Sequence, residues 1–136
     1  MKKNFIKSIF ALTLLLASVT SFLSCEKPDD RDNFVGSYRT DLKYIISGTE
    51  YTGTYTMTIT KSSTNKSDII MDNISSLQES ARATVNGNAI LIPQQTIANL
   101  GISGSGTLNG NVLTFSTMET ETGGLPINVN HTATKQ

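Results

Sequence analysis

Few side chains in this 136-residue chain have the chemistry to act, and each can be weighed by its spacing. The single cysteine, Cys25, sits in "SFLSCEKPDDRD" (21–32), between an apolar run and an acid-rich segment. A disulfide needs a second cysteine, and there is none. A zinc site needs several thiolate or imidazole ligands, which one cysteine and one distant histidine do not supply. A catalytic thiol there would lack a scaffold to orient it. The single histidine, His131, shares strand parity with Ile127, Val129 and Ala133 and so points inward. Its simplest role is a core or rim histidine satisfied by a backbone group, since catalysis would also need a nucleophile and an orienting carboxylate. Glu119 and Glu121 share a face with Leu113 and Phe115 and could line a barrel mouth. Such a pair can hold a cation or move protons, yet an exposed strand end explains it equally well. Asp29, Asp30 and Asp32 lack the glycine and glutamate of a calcium loop. No G-x-S-x-G elbow is present, and "GISGSGTLNG" runs into a strand rather than a helix. The sequence therefore assigns no catalytic residue, metal or cofactor, and the expectation is a protein that is not an enzyme.

The elements that place these residues begin with the N-terminus. "MKKNFIK" carries three lysines and leads into an apolar run of about 15 residues, Ile9 to Leu23, with a small-residue end. That is the anatomy of an export signal, and it is short of the roughly 20 residues a membrane-crossing helix needs. "FLSC" resembles the relaxed lipobox of bacterial lipoproteins, in the form typical of Bacteroidota. The resemblance implies cleavage before Cys25, acylation of its sulfur, and a membrane as partner. A thiolate is the one good nucleophile for that alkylation near neutral pH, and two acyl chains anchor stably. Residues 1–24 are thus expected to be the signal peptide and 25–32 a lipidated acidic tether.

The charges fit this division. The precursor balances 11 basic against 11 acidic residues; without Lys2, Lys3 and Lys7, eight face eleven, a net charge of −3. No basic patch with interleaved aromatics follows, which excludes nucleic acid as a partner. The acids after Cys25 suit a solvated, flexible linker. "CEKPDD" also resembles the Lys-then-acidic signal that carries Bacteroidota lipoproteins to the outer leaflet, although Pro28 interrupts it. The expected location is the outer membrane, lipid-anchored and exposed at the cell surface.

From about Asn33 the chain turns to Thr, Gly, Ser, Asn and β-branched residues with no long helical period. In "YTGTYTMTIT", Tyr51, Gly53, Tyr55, Met57 and Ile59 share one face; in "SYRTDLKYII", Tyr38, Leu42, Tyr44 and Ile46 do. Such alternation marks antiparallel strands with one wet face. "SGT" (47–49) and Gly123-Gly124 read as turns. Asn86-Gly87 and Asn109-Gly110 sit between apolar runs and predict hairpins with type I′ turns. Pro93 is expected to end its strand, leaving "QQTIANLG" as a crossing loop or short helical turn. With strands at 67–73 and 126–134, the count is about eight. The fold class is all-β, an antiparallel meander forming a small barrel or a β-sandwich over 33–136.

"FVGSYRT" followed by such strands resembles the opening of a lipocalin-like, or calycin-like, domain. Small Bacteroidota lipoproteins carry similar "NGN" hairpins and a "GSGTLNG" strand. Gly36 matches the glycine of the lipocalin Gly-x-Trp motif, Tyr38 stands in for the tryptophan, and Lys135 is the basic residue near the end. The resemblance carries over architecture rather than a ligand. Strand parity makes Tyr38, Tyr44, Tyr55, Met57, Phe115 and His131 the candidate ligand-binding residues, in an interior expected to be filled or narrow. An eight-stranded barrel has room for side chains or one small ligand. Three function classes follow: a module binding a small apolar or glycan ligand, a structural or interaction component contacting an envelope protein, and a hydrolase accessory or inhibitor.

Overall fold

A computed structural model describes residues Lys27–Gln136; the expected signal peptide and Cys25 lie outside the described residues. Eight strands follow in order: β1 Gly36–Ile46, β2 Thr49–Lys61, β3 Asp68–Asp72, β4 Ser80–Asn86, β5 Ala89–Ile97, β6 Leu100–Asn109, β7 Val112–Glu121 and β8 Ile127–Lys135. Each pairs antiparallel with the next, and β1 returns to β8 with Tyr38 opposite Lys135 and Tyr44 opposite Val129. The sheet therefore closes into a barrel rather than folding over as a sandwich. Alternation sends the apolar set inward: Tyr55, Met57 and Ile59 of β2 are buried while Thr54, Thr56 and Thr58 face water. The interior is filled by side chains, with Tyr38, Met57, Ile69, Met71, Ile92 and Leu113 all essentially inaccessible.

The hairpins fall where expected, but their turn chemistry differs. Asn86 is opposite Ala89 and Asn109 opposite Val112, so the loop residues are Gly87-Asn88 and Gly110-Asn111. Gly87 (φ +62°) and Gly110 (φ +58°) take the left-handed position, while Asn88 and Asn111 do not. Glycine first is the demand of a type II′ turn, not of the type I′ turn expected. Both-positive pairs occur instead at Ser47-Gly48 (φ 51° and 82°) and at Ala98-Asn99 (φ 49° and 66°).

Pro93 corrects a second expectation, because β5 runs through it to Ile97. The β5–β6 register shifts between Ile92 and Gln95, the signature of a bulge. β4 pairs with β5 only over Thr84–Asn86, so Arg82 lacks a strand neighbour there. The Gln95 side chain fills the gap: its Oε1 accepts from Arg82 N (3.0 Å) and its Nε2 donates to Arg82 O (2.8 Å). "QQTIANLG" is therefore strand, turn and strand.

Gly104 and Gly106 lie inward on β6, opposite Thr117 and Phe115. A Cβ on Gly106 would stand 2.4 Å from Phe115 Cβ, and one on Gly104 2.2 Å from Ser116 O. These glycines permit close approach of β7, not an empty interior.

One end of the barrel is plugged by the chain that enters it. A 3-10 turn over Asp30–Asn33 is capped by the Asp29 side chain. Fully buried Phe34 follows, and Tyr38 Oη donates to its carbonyl at 2.7 Å. Arg31 donates to Asp29 (Nη2 to Oδ2, 2.7 Å) and to Asn65 O (3.1 Å), and Lys61 reaches Asp29 and Asp32 at 3.0 and 2.6 Å. Hydrogen bonds from Arg31 and then Lys61 hold the Asp29 carboxyl far below the usual carboxylate range. The acidic segment from Asp29 onward is thus docked on the barrel rather than free. The Lys135 side chain crosses over Gly36, where a Cβ would meet its Cε at 2.6 Å.

Candidate functional site

The opposite end, formed by the β1–β2, β3–β4, β5–β6 and β7–β8 connections, is the mouth. Strand register sets its inner wall in rows. Leu42 of β1 lies opposite His131 of β8, and His131 opposite Phe115 of β7. One row nearer the mouth stand Tyr51, Tyr44, Val129 and Thr117, and Glu119 stands opposite Ile127 beyond them.

His131 is buried, with its ring stacked on Phe115 (centroids 4.3 Å, planes 8° apart). Its Nδ1 lies 3.2 Å from Tyr55 Oη and its Nε2 3.0 Å from Thr117 Oγ1. Residues 73–79 fold over this group, bringing Ser75 to Glu119, 3.5 Å from His131 Nε2, and to Tyr55. The protons have one self-consistent order. Ser75 N–H donates to Tyr55 Oη at 3.2 Å, and the phenol donates to Nδ1. Nε2–H donates to Thr117 Oγ1, which donates to Glu119 Oε1 at 2.8 Å. Ser75 Oγ–H donates to the same carboxylate oxygen. The order assigns the Nε2–H tautomer to a neutral imidazole. Burial pushes the His131 pKa down to about 4, and burial first of all raises that of Tyr55 well above its usual value.

The same order speaks against a catalytic reading. A serine nucleophile needs a base facing its hydroxyl, with a third group orienting that base. Here the nitrogen nearest Ser75 carries the proton, the acid bonds the serine directly, and the other nitrogen receives a phenol. One polar atom of the inner wall is left over. Thr40 is buried and opposite Tyr55, its hydroxyl near enough to favour the phenolate slightly, yet Thr40 Oγ1 makes no hydrogen bond. Among the described residues no three metal-ligating side chains gather.

The six residues proposed from parity do not share one cavity. Tyr55, Phe115 and His131 come together, and Met57 lies in the core below them. Tyr38 is at the plugged end, bonded to Phe34. Tyr44 stands on the hairpin wall, stacked on Tyr51 at 5.3 Å and 11°. Three surface depressions lie elsewhere, two around the 3-10 turn at the plugged end and one on the outer wall of β8, β1 and β2. None is lined by any of the six. His131 is satisfied by side chains rather than by the backbone group expected. Glu119 lines the mouth half-buried, while its partner Glu121 is exposed. Sequence reasoning missed Ser75 and Thr117. Thr117 carried a signal, since it shares parity with Phe115 and Glu119; Ser75 carried none.

What remains open is the wall itself. Tyr44, Ile46 and Tyr51 have inward parity, yet Ile46 is 40% and Tyr51 44% exposed. Leu125, in the β7–β8 turn, is 87% exposed. The β1–β2 hairpin extends past the cover of β3, which pairs with β2 only from Thr58 to Lys61. No protein-family model matches the chain, and no curated protein matches it.

Proposed function

We propose that this chain is a lipid-anchored protein of the cell envelope, held in the outer membrane by acylated Cys25 and facing outward. It acts without catalysis, as a recognition module whose contact surface is the barrel mouth and the inner wall of the β1–β2 hairpin. The observation that carries the reading is the exposure of inward-facing Ile46 and Tyr51, beside half-buried Tyr44, above a packed interior. Apolar side chains left uncovered at one rim mark contact surfaces. The packed interior favours an envelope protein that meets the rim over a small apolar or glycan ligand enclosed by the barrel. The small-ligand reading keeps one supporting observation, the flat Tyr44–Tyr51 stack at the mouth.

Two measurements test the proposal. In a bacterial host with a lipoprotein pathway, the mature chain should carry acyl mass and fractionate with membranes, and Cys25→Ala should abolish both. A Cys25→Ala protein that stays membrane-bound with unchanged processing refutes the anchor. For the mouth, fluorescence of N-phenyl-1-naphthylamine should rise on binding and fall back in Tyr51→Ala and Ile46→Ser. Leu91→Ser, altering an exposed side chain on the outer wall, should leave it unchanged. Dye binding that follows Leu91 instead refutes the mouth.

A further inference from the structure

The barrel's hydrogen-bond ladder is interrupted at two seams, and side-chain amides repair only part of it. At the β4–β5 seam the Gln95 amide satisfies both backbone groups of Arg82. At the β2–β3 seam Asn73 Nδ2 donates to Thr56 O at 2.8 Å. Beyond Thr56, β2 from Glu50 to Thr54 has β1 on one side and no strand on the other. Backbone groups of successive residues point to opposite sides of a strand. Thr56 O faces the seam, so the N–H and C=O of Thr54 and Thr52 face it too. No hydrogen bond from the described residues reaches them on that side.

We propose that this edge accepts a ninth strand, an extended basic segment of a partner polypeptide, bonded through the N–H and C=O of Thr52 and Thr54. The proposal rests on reading the mouth as the recognition surface and names the chemistry of what docks there. Only another strand offers alternating donors and acceptors at the spacing an open edge demands. Inward side chains of the added strand meet Tyr51 and the side-chain-free position at Gly53, whose nearest cover is Leu42 at 3.5 Å from an added Cβ. Charge selects the partner's sign. Glu50, Glu79, Glu119 and Glu121 surround the mouth; among the described residues nearest them, Lys43 is paired with Glu50 at 2.6 Å and Arg82, on β4, with Asp68 at 2.9 Å. A second copy meeting edge to edge would bring two acidic mouths together, which disfavours self-pairing.

Amide hydrogen exchange of the full mature chain tests this, with an end-blocked seven-residue peptide of alternating lysine and valine as the probe. Exchange at Thr52 and Thr54 should slow at least tenfold on adding the peptide. A glutamate–valine counterpart should leave it unchanged. Thr52→Pro removes one seam-facing N–H while sparing the β1 ladder, since proline is tolerated on an open edge. It should weaken peptide binding at least tenfold with melting nearly unchanged. Peptide N-methylated on alternate amides should lose binding equally, with no change to the protein. Absence of protection, undiminished binding by the N-methylated peptide, or equal protection by both peptides overturns the proposal. So does protection that appears without peptide as protein concentration rises, which assigns the edge to a second copy. Peptide binding that spares Thr52 and Thr54 but is lost in Tyr51→Ala overturns the added strand alone and leaves the mouth reading standing.

Discussion

At His131 the barrel holds an imidazole neutral at a pH where water would leave it half protonated. The folded pKa is near 4 against an ordinary 6.5, with burial as the cause. Below pH 6.5 the unfolded chain takes up a proton that the folded chain refuses. Stability is therefore lost as pH falls from 6.5 to about 4, by about 3 kcal/mol for this group. Urea midpoints across that window should fall for the native chain, and the His131→Gln variant should lack this component of the slope. Below it, a separate loss belongs to Asp68. Burial raises its pKa, but hydrogen bonds from Arg82 and Thr84 outweigh that and leave it lowered. Thr40 offers a cleaner test. Its Oγ1 is buried without a partner, so Thr40→Val replaces an unmet hydroxyl by a methyl of similar shape. The expected change is neutral to about 1 kcal/mol more stable, read as a melting temperature that does not fall. The inward face of His131 was legible from parity alone. The approach of Ser75 was not, because it reaches the site only through a loop whose residues Asn73, Ser75, Ser76 and Gln78 all adopt positive φ. No pattern in "NISSLQ" announces that conformation.

The strands themselves were plain in the sequence, and the turns less so. Alternation places β1 and β2 because every second side chain must enter the core. Asn-Gly marks a tight hairpin without fixing which residue leads the turn, and here glycine leads both times. The type I′ geometry sits instead at Ala98-Asn99, where a β-carbon occupies a left-handed position. That position costs a non-glycine residue about 1–2 kcal/mol, less for Asn. Ala98→Asn should accordingly raise stability by about 0.5–1 kcal/mol, visible as a higher melting temperature; a lower one means the turn is not held in this form. The converse holds at Gly106, where Ala would collide with β7. Gly106→Ala should cost about 1–3 kcal/mol as overpacking, and a neutral result would mean that β6 and β7 lie farther apart. Pro93 misled because its missing donor suggests a strand end. The bulge and the Gln95 amide absorb the defect, and nothing local in "IPQQTI" shows that a glutamine will reach Arg82.

Across the whole molecule, one end is shut and the other open. Phe34, the docked 3-10 turn and the Arg31–Asp29–Lys61 cluster close the end through which the chain enters. The mouth carries the uncovered aromatic wall and the unpaired stretch of β2. The eight-strand meander was legible from strand count and short connections, but its closure through β1–β8 pairing, rather than a sandwich, was not. The docking of Asp29–Asn33 was not, since acids beside proline read as linker until their basic partner Lys61, at the end of β2, is known. The account of what docks at the mouth turns on one physical feature, a β2 edge open from Glu50 to Thr54. Residue-resolved amide exchange of the protein alone examines it directly. The expected result is alternation, with Tyr51, Gly53 and Tyr55 protected by β1 while Thr52 and Thr54 exchange at least a hundredfold faster. Uniform protection from 51 to 55 would show that the edge is already covered and would contradict the account.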